Sequence, residues 1–181
     1  MRILLPILLA ITSAAVAQTA LTPPPTAAPA PAMAPPKCTA PESRQFDFWI
    51  GEWNVTDQTN GQFAGVSQIE KLYGGCVLRE NWTSEGFRGG SLNSWWQGDR
   101  KWHQTWMDQA GAFRHFIGGI EGGKMVMVAE QPSQREPGKI VLVRLTFTPN
   151  SDGTVRQYSD VSRDGGKSWV FRYDYLYRRM E

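Results

Sequence analysis

The sequence predicts an all-β domain, an up-and-down antiparallel barrel of about ten strands, and three observations lead there. From Phe46 onward the chain is a succession of short β-branched and aromatic segments, none of which sustains a helical apolar period for three turns. The breaks between segments carry turn residues: Asn60-Gly61, Gly74-Gly75, Gly98-Asp99, Ala110-Gly111, Gly122-Gly123, Asp152-Gly153 and Gly165-Gly166. Most of these breaks are tight, so consecutive segments should pair antiparallel. A long run of such pairs closes most simply into a barrel, which leaves no exposed edge.

The expected strands, in order, are 48–57, 63–73, 76–84, 90–97, 101–108, 112–118, 124–131, 139–148, 154–162 and 169–178. The first opens on Phe46-Asp47-Phe48-Trp49-Ile50-Gly51-Glu52-Trp53-Asn54-Val55, dense in aromatics around a Gly-x-Trp. Alternation along a strand assigns faces. Leu78, Glu80 and Trp82 share one face of the third segment, Ser91, Asn93 and Trp95 one face of the fourth, and Trp102, Gln104, Trp106 and Asp108 one face of the fifth. Val77, Arg79 and Asn81, with His103, Thr105 and Met107, form the opposite, exterior faces. In the last segment either Phe171, Tyr173, Tyr175 and Tyr177, or Val170, Arg172, Asp174, Leu176 and Arg178, face inward. The turn Ser162-Arg163-Asp164-Gly165-Gly166-Lys167-Ser168-Trp169 resembles the Asp-box of sialidase-type propellers. A propeller would need several copies. The single copy reads as a structural turn in which Asp164 bonds turn amides and Trp169 covers the hairpin.

Upstream of the strands, Arg2, the apolar run Ile3 to Ile11 and Ala15-Val16-Ala17 read as a signal peptide cleaved near Ala17. The run is too short to span a bilayer, and no membrane span is expected in the mature chain. Residues 18–37 are nearly all Pro, Ala and Thr, an extended spacer of roughly 3 Å per residue. Residues 38–181 form one domain, periplasmic or secreted. The formal net charge is +2 and the basic residues are scattered, which argues against a nucleic-acid partner. Cys38 and Cys76 are the two cysteines of an exported chain and are expected to pair, contributing about 3 to 4 kcal/mol.

The chain resembles a bacterial exported family of unknown function, related in form to the lipocalin-like calycin barrels. The motifs that carry the resemblance are Phe46-Asp47-Phe48-Trp49-x-Gly51-x-Trp53-x-Val55, Gly75-Cys76-x-Leu78-x-Glu80-x-Trp82, Trp102-x-Gln104-x-Trp106-x-Asp108-x-x-Gly111 and Asp164-Gly165-Gly166-x-Ser168-Trp169. Gly51-x-Trp53 is similar to the lipocalin signature, which implies that an arginine of the last strand, Arg178, packs on Trp53. Ten-stranded haem barrels share the shape but need an axial histidine. His103 and His115 are both mid-chain, so no haem, and no other cofactor, is expected.

Seven of the eight tryptophans fall between Trp49 and Trp106, more indole than a core of this size needs. If the third to fifth strands pair in order, Trp82, Trp95 and Trp106 become walls and Glu80, Asn93 and Gln104 anchors of a pocket for a small apolar or aromatic molecule. The alternative is that Glu80, Asn93 and Gln104 form a satisfied polar network in a filled barrel, an envelope interaction protein. A third reading makes Glu80 a buried general acid or base of an isomerase or lyase. His103, His115 and Asp108 fall short of zinc spacing, and no metal site is expected. No nucleophile elbow is visible. Oligomeric state is not legible.

Overall fold

The computed structural model describes residues 38–181; the signal peptide and spacer expected over 1–17 and 18–37 lie outside the described residues. Ten strands follow in order: β1 Gly51–Asp57, β2 Phe63–Leu72, β3 Val77–Ser84, β4 Phe87–Trp96, β5 Lys101–Asp108, β6 Phe113–Glu121, β7 Lys124–Pro132, β8 Ile140–Pro149, β9 Val155–Ser162 and β10 Val170–Arg179. Each pairs antiparallel with its sequence neighbours, and β1 pairs with β10 through Trp53↔Arg179 and Val55↔Tyr177, closing the barrel. The fold is therefore the expected up-and-down barrel. Among the described residues no helix is long and apolar enough to cross a membrane.

One expected strand begins late. Asp47–Trp49 is a 3₁₀ turn, preceded by another at Pro41–Arg44, and β1 starts only at Gly51. The reason is packing: Phe46 and Trp49 fold under the barrel instead of extending along its wall. Phe46 stacks on Trp49 at 4.9 Å and meets Trp102 at 5.7 Å and Phe147 at 5.0 Å, while Trp49 also contacts Tyr177 at 6.2 Å. All five are essentially inaccessible to solvent. This aromatic plug closes one end of the barrel, and burial of each such ring is worth about 1.5–3 kcal/mol.

Two devices hold the plug. The Cys38–Cys76 disulfide ties the segment before the plug to the start of β3, closing a loop of 38 residues. Lys71 on β2 pairs with Asp47 at 2.6 Å. At the rim of this end, Trp53 Nε1 donates to the Trp49 carbonyl at 2.9 Å, and a guanidinium covers the indole. That guanidinium belongs to Arg179, 4.5 Å from the ring centre, and not to Arg178. Arg178 pairs across the ladder with Asn54 and is exposed, because the phase of β10 sends Tyr177 inward and Arg178 outward. Arg179 also donates to the Ile50 carbonyl at 3.1 Å. Gly51 makes room for it: at φ +140° and with a would-be Cβ 2.4 Å from the Arg179 guanidinium, no other residue fits without displacement.

The Ser162–Trp169 turn is built as expected of a structural element. Asp164 accepts bonds from the Ser168 amide and from the Ser162 and Ser168 hydroxyls, which hold its carboxyl down at about 2. Trp169 Nε1 donates to the Gly166 carbonyl, and Arg144 lies 3.9 Å over its ring while bonding Asp160 bidentately. The indole covers an ion pair on the barrel's outer wall.

Candidate functional site

Alternation along β3, β4 and β5 points Leu78, Glu80 and Trp82, then Ser91, Asn93 and Trp95, then Trp102, Gln104 and Trp106, into the barrel. Register brings them into one patch: Glu80 faces Ser91 across the β3–β4 ladder, and Asn93 faces Gln104 across β4–β5. The polar members form a continuous chain. Gln104 Nε2 donates to Asn93 Oδ1 at 2.7 Å, Asn93 Nδ2 donates to Ser91 Oγ at 2.9 Å, and Ser91 Oγ donates to Glu80 Oε2 at 2.8 Å. From β2, Ser67 Oγ donates to Glu80 Oε1 at 3.1 Å. Glu80 is 5 % exposed, and its only hydrogen-bond partners are hydroxyls. Burial therefore pushes its carboxyl up to about 7, with the two serines pulling weakly the other way.

Above this layer lies a cavity of ≈ 600 Å³ that reaches the barrel end formed by the β5–β6 and β7–β8 turns. Glu80, Gln104 and Gln157 line its depth, Trp82, Trp106 and Tyr175 its walls, and Ala110, Arg114 and Arg172 its mouth. Trp82 and Tyr175 stack at 5.9 Å with 8° between their planes, and Tyr175 stacks on Tyr173 at 4.6 Å. Trp106 is fixed by Nε1 donating to Asp108 Oδ2 at 3.0 Å. A second polar group of three residues lines the cavity with Glu80: Tyr177 donates to Gln157 Oε1 at 2.5 Å, and Gln157 Nε2 donates to the Tyr173 hydroxyl at 3.3 Å. Burial pushes Tyr173 up to about 12 and Tyr177 well above its ordinary value, so both stay protonated donors.

Four of the six expected ligand residues, Glu80, Trp82, Gln104 and Trp106, line this cavity, whereas Asn93 and Trp95 do not. Asn93 is fully buried toward the plugged end and bonds the Leu78 carbonyl, and Trp95 packs on the core beside Trp102. The tryptophans thus divide by depth. Trp49, Trp53 and Trp102 fill the plugged end, Trp82 and Trp106 line the cavity, and Trp96 is 59 % exposed outside.

His103 and His115 do not join Asp108. The imidazoles lie on the exterior face with His103 Nδ1 3.1 Å from His115 Nε2 and His103 Nε2 2.9 Å from Asp99 Oδ2, while Asp108 points into the cavity. Among the described residues no three His, Cys, Asp or Glu side chains are grouped to hold a metal ion.

Sequence reasoning left the inward face of the last strand open, and with it Tyr173, Tyr175 and Arg172 in the lining; it missed Gln157, Arg114 and two glycines that shape the cavity. A Cβ on Gly65 would stand 2.7 Å from Trp82 Cζ2, and one on Gly89 would stand 2.5 Å from Trp106 Cζ2. Each indole leans over the neighbouring strand where that strand has no side chain. Glycine inside a strand pattern was the available signal, since it marks close approach. Scanned against protein-family models and searched against curated proteins, the chain matches none.

Proposed function

We propose that the barrel binds a small molecule with an apolar or aromatic body, held against Trp82 and Trp106 and oriented by Glu80 and Gln104. The observation that carries this reading is the cavity itself: ≈ 600 Å³, one end plugged, aromatic walls and a few convergent polar groups at its depth. A filled barrel would have closed this space with side chains, as the plugged end does. Export belongs to the same reading, and the Cys38–Cys76 disulfide supports it, because such bridges persist in oxidising compartments.

Titrating the protein with long-chain and polycyclic aromatic probes should change tryptophan emission saturably, with micromolar affinity, about 8 kcal/mol. Trp106→Ala should weaken binding and Trp169→Ala should leave it unchanged, since Trp169 lies on the outer wall. No saturable response across the probe set would exclude the reading. Mass spectrometry of small molecules co-purifying from the natural host would identify the ligand.

A second reading has one observation in its favour. A carboxyl raised to about 7 in a cavity is poised to give or take a proton near neutral pH. In that case Glu80→Gln retains ligand binding and abolishes turnover, whereas a binder loses only affinity.

A further inference from the structure

The alternation of β10 breaks at one place. Against β9, Phe171 faces Asp160 and Tyr173 faces Ser159, so Arg172 is the extra residue of a β-bulge. Bulges re-aim side chains, and here successive residues, Arg172 and Tyr173, both line the cavity. Arg172 pairs with no carboxylate among the described residues. Arg114 on β6 lines the same mouth, and its nearest carboxylate, Asp108, is 3.7 Å away, beyond a direct hydrogen bond. Asp108 is already satisfied by Trp106 Nε1 at 3.0 Å, the Ala110 amide at 3.0 Å and the Ala112 amide at 3.2 Å. Two guanidiniums against one occupied carboxylate leave one positive charge at the mouth unmatched.

At the other end of the cavity, each Glu80 oxygen accepts a single bond, from Ser67 or Ser91, and keeps a lone pair. Between the two ends stand the faces of Trp82, Tyr175 and Trp106. The span is set by the strands: Glu80 to Ser84, like Gln104 to Asp108, covers four residues, roughly 13 Å. Cation, aromatic waist and acceptor are thus spaced along one axis.

We infer that the cavity takes an aromatic monocarboxylate, its carboxylate docked on Arg172 and Arg114 and its far end carrying a hydroxyl or amine that donates to Glu80. The inference rests on the ligand-binding reading above and adds the ligand's polarity and charge. A single negative charge matches the single unmatched cation, whereas a dianionic head would be left undercompensated. Charge-assisted bonds from guanidinium to carboxylate are among the strong ones available, and the fork of Arg fits a carboxylate bidentately.

The test uses the full chain and three probes titrated by tryptophan fluorescence and calorimetry: 4′-hydroxybiphenyl-4-carboxylic acid, its methyl ester, and biphenyl-4-carboxylic acid. The hydroxy acid should bind about tenfold or more tighter than its ester, the range of a charge-assisted hydrogen bond. Arg172→Gln and Arg114→Gln should each shrink that ratio, and the double variant should bring it to one. Arg88→Gln, on the exterior, should leave it unchanged. Removing the probe's hydroxyl should weaken binding several-fold. Saturable binding of acid and ester with equal affinity would overturn the anion assignment and leave the ligand-binding reading standing. Equal losses for acid and ester in both arginine variants would overturn it too, as a general effect on the cavity. No saturable binding of any of the three, or of the apolar probes above, would remove both readings together.

Discussion

Glu80→Gln is expected to abolish a pH dependence of stability that runs opposite to the usual one for a carboxylate. Burial raises the folded-state value from 4.5 to about 7, because Ser67 and Ser91 stabilise the anion less than water would. The folded protein therefore holds this proton more tightly than the unfolded chain does. Its stabilising contribution is fully present below pH 4.5, declines as pH rises through the interval to about 7, and is gone above it. The full interval corresponds to about 3 kcal/mol, and the part traversed between pH 5 and pH 8 to roughly 2 to 3 kcal/mol. For a domain of this size that is roughly 5 to 10 °C in Tm. Thermal and urea melts of wild type and variant at pH 5 and pH 8 read it out. Taking the difference between the two proteins cancels every titrating group common to both. Wild type should lose its margin over the variant on going to pH 8. A difference that is the same at both pH values would refute the claim that Glu80 is buried without a cation.

Three further outcomes are expected. Cys76→Ala should lower stability by about 4 kcal/mol for a loop of 38 residues, measured by urea melts, and two alkylatable thiols in the native protein would contradict the bridge. Arg179→Ala should cost about 0.5 to 2 kcal/mol through the contact over Trp53, and Arg178→Ala close to nothing; the reverse order in paired melts would restore Arg178 as the partner. Gly89→Val should push the Trp106 indole into the cavity, changing near-UV dichroism and weakening probe binding while far-UV dichroism stays unchanged; wild-type probe affinity would show that the indole has room elsewhere.

What the sequence determined by itself is local or periodic. Strand positions follow from alternation and from glycine-bearing turns, so all ten strands fall within three residues of the expected segments. The inward faces of β3, β4 and β5 follow from a period of two, and tight turns between them leave little freedom in register. With two cysteines in the chain, each has one possible partner. Depth was decided only by the tertiary structure. Whether an inward Trp fills the plug, as Trp102 does, or walls the cavity, as Trp106 does, depends on where Phe46 and Trp49 fold back, and that is a packing outcome of residues distant in sequence. The phase of β10 was equally out of reach, because the bulge at Arg172 shifts alternation by one residue. Tyr173, Tyr175 and Tyr177 point inward and Arg179 shares their face with Trp53, while the bulge takes Phe171 out of that set and aims Arg172 at the mouth. A bulge is fixed by the register of the closed sheet, and a closed sheet exists only when β1 meets β10.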